Sequence, residues 1–496
     1  MSSGNGAMSG SAADEGAGTP SRGVATMLRR ATEALLLVGT ASLVYWPTIH
    51  RGPIIVPLRA ELPFALALAL AAIEISLLPR RERWGALLAE AEGRWTWIAL
   101  GGLLGACLFA TGLSWFRYHL GFNRLGLETM LQLIFNLLIF ALIYRVLRTN
   151  VGLFEKLALA LFLPTLVPLG IGLLVIIDPR IHEFMTSILR LPPLVAFGQR
   201  FQGLTSNPVM GTFSSLTGIA FFFILALCGL GAGVSTAIGL ASVVGGMGLL
   251  VLWAQTRSAF IALICLMAMA VTAGIRLLGR GIGQQALLVI AAAIVMVFGW
   301  RLVPAGLVPE ISEARPQHLL TARLDEGLGT GGRLAIYRYY LRLLPSNVLG
   351  VGFNYERKFF VDLPHQNHPT AHSSILALWM FGGIGAVLAA GAVLLFTGMR
   401  AVRDLRAMAG RGGGIVGAAE ACYLAAVIAL LTYWIETTWI GSPFSTAMNS
   451  VLLAMVLAGV PPSASAAGLS TRALSVPIAW FGYVILLGLT LRAVRG

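Results

Sequence analysis

Long apolar runs dominate this sequence and restrict the folds that it can adopt. A helix needs about 20 apolar residues to cross the hydrocarbon core of a bilayer, and runs near that length recur along the whole chain. The alternating polar and apolar pattern of a membrane barrel is scarce. The sequence therefore predicts an all-α polytopic membrane protein with about 12–13 transmembrane helices. The predicted spans lie near 33–49, 60–78, 95–116, 126–147, 155–177, 208–229, 234–254, 258–275, 284–304, 374–397, 415–434, 446–460 and 474–492.

Composition supports this class and narrows the partners. Only 11% of the residues are charged, against about a quarter in soluble domains. The net charge of +14 is not gathered on a soluble domain, which argues against nucleic acid as a partner. Arginines at span ends suit membrane topology and anionic lipid or diphosphate ligands. The four cysteines fall inside apolar spans without metal-ligand spacing, so they predict small buried thiols.

The chain divides into four predicted regions. Residues 1–30 form a small, polar, disordered N-terminus, residues 31–304 carry nine spans, residues 305–373 form one long loop, and residues 374–496 carry the remaining spans. Basic residues concentrate in the connections on the side of the N-terminus, which predicts a cytoplasmic N-terminus and an extracytoplasmic loop. The clearest basic clusters are Arg80, Arg81, Arg83 and Arg94, and Arg400, Arg403, Arg406 and Arg411.

The long loop is the polar exception in the chain. A loop of this length is usually functional or disordered, and GGRLAIYRYYLRLLP within it has a helical pattern. That pattern predicts a short amphipathic helix with Leu334, Tyr337, Leu341 and Leu344 on a shared face, lying on the membrane surface or over a cavity. The helix is followed by Pro345 and a glycine turn at 350–352.

Three arginines on the loop side are candidates for binding an anion. Arg257 lies in a hairpin too short to leave the membrane surface, where an ionised group tends to face a cavity or a partner; the alternative is an arginine that only marks the boundary. Arg200 shortly precedes a span, and Arg333 starts the amphipathic segment. A guanidinium group binds phosphate oxygens with two parallel hydrogen bonds. Together these residues predict a diphosphate site at the water–lipid boundary.

The histidines suggest proton transfer. All seven map to connections on the loop side, and His365, His368 and His372 cluster at the end of the long loop. A neutral imidazole can accept a proton from an attacking hydroxyl. A metal site would need converging ligands, but Pro364 and Pro369 interrupt any helix through this segment. We therefore predict a catalytic base and no metal, with purely structural histidines as the alternative.

At these residues the chain resembles the O-antigen ligase and polymerase superfamily of the bacterial envelope. The resemblance rests on the order of four segments: RFQGLTSNP before a span, TRSAF between two spans, GGRLAIYRYYLRLLPSNVLGVGF in the loop, and TAHSSILALWMFGGIG entering the next span. It covers roughly residues 195–390. Earlier spans match by architecture only.

The resemblance implies a membrane glycosyltransferase of the bacterial inner membrane with a periplasmic active site and no metal or cofactor. Arg200 and Arg257 would grip the diphosphate of an undecaprenyl-diphosphate-linked glycan, with Arg333 assisting. His372 would activate the acceptor hydroxyl, and His368 and His365 remain rival bases. The acceptor is the lipid A core for a ligase and another glycan for a polymerase. An alternative of another class is a transporter for lipid-linked glycan or an anionic solute, which broken helices, intramembrane charges and internal repeats would favour.

Overall fold

The structure is a computed structural model in which part of the chain is described. The described residues are 20–43, 61–77, 91–118, 124–150, 152–188, 195–196, 200–201, 208–229, 233–254, 256–279, 281–302, 332–353, 373–410, 417–437, 446–460 and 471–495.

Helices account for nearly all of the described structure. They are α1 (Pro20–Ser42), α2 (Glu61–Leu77), α3 (Ala91–Tyr118), α4 (Arg124–Thr149), α5 (Leu153–Phe162), α6 (Leu166–Ile177), α7 (Arg180–Glu183), α8 (Pro208–Gly229), α9 (Val234–Trp253), α10 (Arg257–Leu277), α11 (Ile282–Leu302), α12 (Gly332–Leu343), α13 (Ser374–Ala409), α14 (Ala418–Thr437), α15 (Ala447–Ala458) and α16 (Thr471–Arg495). Two-residue strands β1 (Val195–Ala196) and β2 (Arg200–Phe201) pair antiparallel.

Ten spans among the described residues are long and apolar enough to cross a membrane. One of them, Leu153–Ile177, joins α5 and α6 through a single 3-10 turn. The C-terminal span is confirmed as a helix, with its apolar part at Val476–Ala493. These findings confirm the prediction of an all-α, multi-pass membrane protein.

The helices cross the bundle in alternating directions, so their ends gather at two opposite faces. Near the end of α4, the Arg148 side chain donates to the carbonyl of Ala458, the last residue of α15 (3.4 Å). At the opposite face, Tyr433 near the end of α14 hydrogen-bonds Thr446, which caps the start of α15. Helices α8, α10, α13 and α15 begin at one of these faces, which we call the loop end. We call the opposite face the far end.

Helix α8 lies at the centre of the bundle, and its segment Gly211–Cys228 is 94% buried. It packs against α9, α10 and α14, and its apolar residues are buried on all sides, as expected for a helix shielded from lipid. The short helix α15 is also buried along its length. Because protein rather than lipid surrounds it, α15 does not need the length of an independent span.

The predicted N-terminal boundary was wrong in part. Residues 20–30 belong to α1 rather than to a disordered segment, because Pro20 suits the first position of a helix and the following residues include good helix formers such as Met27 and Leu28. Residues 1–19 lie outside the described part of the chain.

Candidate functional site

The backbone of the three predicted arginine segments lies at the loop end. Arg200 lies in β2, and its neighbour Phe201 stacks on Trp253 with ring centroids 5.1 Å apart. Trp253 ends α9, and Arg257 begins α10 four residues later. The stacking contact therefore anchors the strand of Arg200 beside the hairpin that carries Arg257. The description of both arginines covers the backbone only.

The predicted amphipathic helix is confirmed as α12, which begins with Gly332 and Arg333. The structure describes the backbone of Arg333 but not its side chain. The buried face of α12 differs from the prediction: Tyr340 is fully buried, whereas Leu341 is 55% exposed. Tyr340 packs into a small cluster with Val351 and Met380, so α12 rests on the start of α13 rather than presenting Leu341 to the core.

The turn that follows α12 docks into a break in α13. The backbone N–H groups of Val351 and Gly352 both donate to the carbonyl of Met380, at 2.8 and 3.2 Å. The N–H of Ile384 donates to the carbonyl of Val348 at 2.9 Å. The loop backbone thus takes over hydrogen bonds that a continuous helix would have made internally, which satisfies polar groups at a helix break inside a membrane protein.

Glycines make possible this contact between segment 347–353 and the break in α13, which we call the joint. Gly383 has φ of +65° and Gly350 has φ of +80°, a region that residues with a side chain rarely adopt. A Cβ on Gly383 would collide with the Val348 carbonyl, and one on Gly350 would collide with the backbone of Gly383. Gly352 lies equally close to Thr111 of α3. Gly382 and Gly383 both have non-helical backbone angles, and the helix breaks at these two residues.

The joint also anchors the loop to α3. The N–H of Phe353 donates to the Thr111 hydroxyl at 3.1 Å, and the Trp379 indole N–H donates to the Asn347 carbonyl at 3.2 Å. The segment 347–353 is therefore bonded to two membrane helices. This fixes the position of α12, and with it the backbone of Arg333, relative to the start of α13.

The histidine cluster falls outside the description. His365, His368 and His372 lie in the stretch 354–372, which the structure does not describe. Residue Ser374, two positions after His372, begins α13, and its hydroxyl donates to the carbonyl of Thr437 at 2.5 Å. The chain that leaves the histidine segment therefore enters the bundle against the end of α14.

Glu436 is a buried acidic residue that the sequence reasoning missed. It lies in the last turn of α14 and is fully buried, and its Oε1 atom accepts a hydrogen bond from Thr212 of α8 at 2.5 Å. The predicted span ended at residue 434, so Glu436 was assigned to the connection. An acidic residue directly after an apolar run was the available signal, and an intramembrane carboxyl is a functional candidate by default.

One histidine at the loop end is described. His182 of α7 is partly buried, and burial lowers the pKa of its imidazole below the ordinary value of 6.5. Its Nδ1 atom has no hydrogen-bond partner in the described part of the chain. Nothing in the described structure brings His182 to Glu436 or to the arginine segments, so it stays outside the candidate site.

The loop end therefore combines three arginine-bearing segments with a buried carboxyl and many buried hydroxyl groups. Guanidinium groups at such a face can bind phosphate, and hydroxyl and carboxyl groups can bind sugars. Across the described residues, no group of three His, Cys, Asp or Glu side chains is arranged to hold a metal ion. No protein-family model matches the chain, and no curated protein is similar enough in sequence to count as a relative.

Proposed function

We propose that this protein is an O-antigen ligase-like glycosyltransferase of the bacterial inner membrane. It transfers a glycan from undecaprenyl diphosphate to a hydroxyl group of the lipid A core at the periplasmic face, without a metal. The observation that carries the proposal is that the backbone of the Arg200, Arg257 and Arg333 segments lies at one end of a membrane bundle. Phe201 against Trp253 joins two of them, and the joint at Gly383 fixes the third.

The chemistry follows from the residue types. Arg200 and Arg257 hold the donor diphosphate, and their fixed charges match the negative charge that grows on this leaving group. His372 accepts the proton of the acceptor hydroxyl as its oxygen attacks the anomeric carbon. The bond from that carbon to the phosphate oxygen breaks, and the diphosphate leaves with the electron pair. Attack from the face opposite the leaving group inverts the anomeric centre.

The transporter alternative has weaker support. Its expected broken helix is present in α13, but the freed groups at Met380 and Ile384 are bonded to the backbone of segment 347–353. In a transporter such groups face the substrate or a coupling ion. The buried charges that the description places at the far end, such as Glu74 and Arg145, are paired with each other. Chemistry at the loop end accounts for more of these features.

A transfer assay tests the proposal directly. Purified protein in nanodiscs is mixed with undecaprenyl-diphosphate glycan and lipid A–core, with and without a chelator. We expect chelator-resistant transfer, and we expect Arg257→Ala and His372→Ala each to lower its rate by about 10²-fold or more. Arg301→Ala is the matched control, because Arg301 is exposed in the last turn of α11 at the same end. Full activity in either site variant removes that residue from the mechanism.

The glycan profile of a deletion strain separates the ligase from the polymerase reading. Loss of a ligase leaves long polymer attached to the lipid carrier, because chain growth continues without transfer. Loss of a polymerase leaves single repeats on the acceptor. We expect long lipid-linked polymer, and single repeats would assign the polymerase reaction instead.

A further inference from the structure

Glu436 differs from the other buried acidic residues of the described chain in having no cationic partner there. Glu74 pairs with Arg145 at 3.3 Å, and Asp178 pairs with Arg180 at 3.1 Å. Removing a carboxyl from water is costly, and an arginine normally offsets that cost. Because no such partner of Glu436 is present among the described residues, another interaction must offset the cost of burying this carboxyl.

The hydrogen bonding of Glu436 is incomplete. Its Oε1 atom accepts from Thr212, while its Oε2 atom is buried and has no hydrogen-bond donor among the described residues. Most buried polar atoms in proteins have a partner, and one that lacks it costs free energy. A fixed carboxyl with one oxygen satisfied and the other left open suits a position where a ligand supplies the missing donor.

Several helix ends meet at this carboxyl. The next residue, Thr437, accepts the hydroxyl hydrogen bond of Ser374, the first residue of α13. One turn earlier, Tyr433 bonds to Thr446 at the start of α15. Glu436 therefore lies at the loop end, at the level where the chain emerges from the histidine segment. The helix that begins with Arg257 packs against α14 and α8 in the same bundle.

We propose that Glu436 binds the acceptor, with Oε2 accepting a hydrogen bond from a hydroxyl group of the acceptor sugar. This inference rests on the proposed function. The groups described around this carboxyl are hydroxyls and include no cation, so a phosphate of the donor is the less suitable ligand for it. The nearby residues Thr212, Tyr433 and Thr446 carry hydroxyl groups. A hydroxyl group can both donate a hydrogen bond to a sugar hydroxyl and accept one from it. Glu436 would then hold the nucleophile, while the arginines hold the leaving group.

Binding assays with separate donor and acceptor probes test the inference. The donor probe is undecaprenyl diphosphate, and the acceptor probe is lipid A–core without polymer, each measured against protein in nanodiscs. We expect Glu436→Gln to weaken acceptor binding and to raise the acceptor KM by about tenfold, as loss of a buried hydrogen bond to the ligand does. Binding of the donor probe should stay within about twofold of wild type.

Matched variants separate binding from folding. Glu420→Gln changes a carboxyl at the other end of the same helix, where it accepts from the N–H of Gly417, and it should leave both affinities unchanged. Thr212→Val and Glu436→Asp keep the carboxyl group but alter its position, and both should weaken acceptor binding. If Glu436→Gln fails to insert, these two variants decide the question. Wild-type acceptor affinity in both would overturn the inference.

The two probes also distinguish the failure of this inference from the failure of the proposed function. Wild-type acceptor affinity in a folded Glu436→Gln variant overturns the inference and leaves the function standing. Equal loss of donor and acceptor binding in that variant also overturns it. If the wild-type protein binds the acceptor but not undecaprenyl diphosphate, the proposed function fails. The acceptor arm still reports on Glu436 in that case.

Discussion

The two ends of the bundle bury polar groups in different ways. At the far end, Glu74 faces Arg145, and Asp404 accepts from both Arg400 (2.8 Å) and Tyr423 (3.0 Å). At the loop end, the buried Asp178 pairs with Arg180, whereas the fully buried carboxyl of Glu436 has only a hydroxyl partner, Thr212, among the described residues. Glu74 and Glu436 are both buried, so burial alone does not separate structure from function. The presence or absence of a cationic partner does.

The contacts at the far end change the role assigned to one of its arginines. The sequence assigned Arg400 to a basic cluster that sets membrane topology. In the structure Arg400 is only 7% exposed, and it lies against Gly459, where a Cβ would collide with its guanidinium group. The neighbouring Arg403 keeps a side chain that is 51% exposed. One arginine of the cluster thus packs against the end of α15, while the i,i+4 spacing pairs it with Asp404 within α13.

Breaking a far-end ion pair should have the largest effect on stability. Arg145→Ala leaves the Glu74 carboxyl buried without a cation, and removal of one partner from such a pair costs about 3–5 kcal/mol. We expect a large drop in thermal stability in detergent, measured by a thiol-reactive or scattering-based melting assay. Arg403→Ala is the control, since its exposed side chain should contribute less than about 1 kcal/mol.

A double variant sharpens this prediction. Replacing both partners, as in Glu74→Gln with Arg145→Met, removes the unpaired charge and should recover most of the lost stability. Equal melting temperatures for Arg145→Ala and Arg403→Ala would show that the far-end pair is not structural. The contrast between the two ends would then disappear.

Substitution at the glycine joint should have an intermediate effect. Gly383→Ala forces an alanine into φ of +65° and drives its Cβ toward the Val348 carbonyl, and such strain costs roughly 1–3 kcal/mol. We expect faster hydrogen exchange in segment 347–353 and lower transfer activity, because the loop loses its anchor. Gly391→Ala in the same helix meets no atom within 4 Å and should be neutral or slightly stabilising. Unchanged exchange in Gly383→Ala would argue against the joint.

The sequence predicted the elements well because their causes are local. Apolar runs of membrane-spanning length define most helices, and periodicity within the loop defines α12. The site was harder, since its geometry depends on contacts far apart in sequence. Gly350 and Gly383 meet across a break that neither segment shows alone. To predict that Glu436 is buried, the sequence would have had to show that α14 continues past residue 434 and that α8 covers the end of α14. His365, His368 and His372 fall outside the described residues, so their predicted role remains a prediction.

The smallest expected effect concerns His182 and tests whether unpartnered polar groups at the loop end have a measurable cost. Burial lowers the pKa of its imidazole in the folded protein below the ordinary 6.5, so the unfolded chain binds the proton more readily. Above pH 6.5 both states are neutral and the group contributes no pH dependence. As pH falls through 6.5 the unfolded state gains its proton first, and stability decreases until the folded pKa is reached.

Comparison of wild type with His182→Gln isolates this contribution, because the other six histidines are common to both proteins. Between pH 7.5 and 5 we expect the wild-type melting temperature to fall more than that of the variant, by about 1–2 °C. Melting curves with the same pH dependence in both proteins would contradict the prediction. They would mean that the imidazole is solvated in solution, so that an unpartnered nitrogen at this end carries no penalty. The argument for Glu436, which has no solvent exposure at all, would then rest on its own binding data.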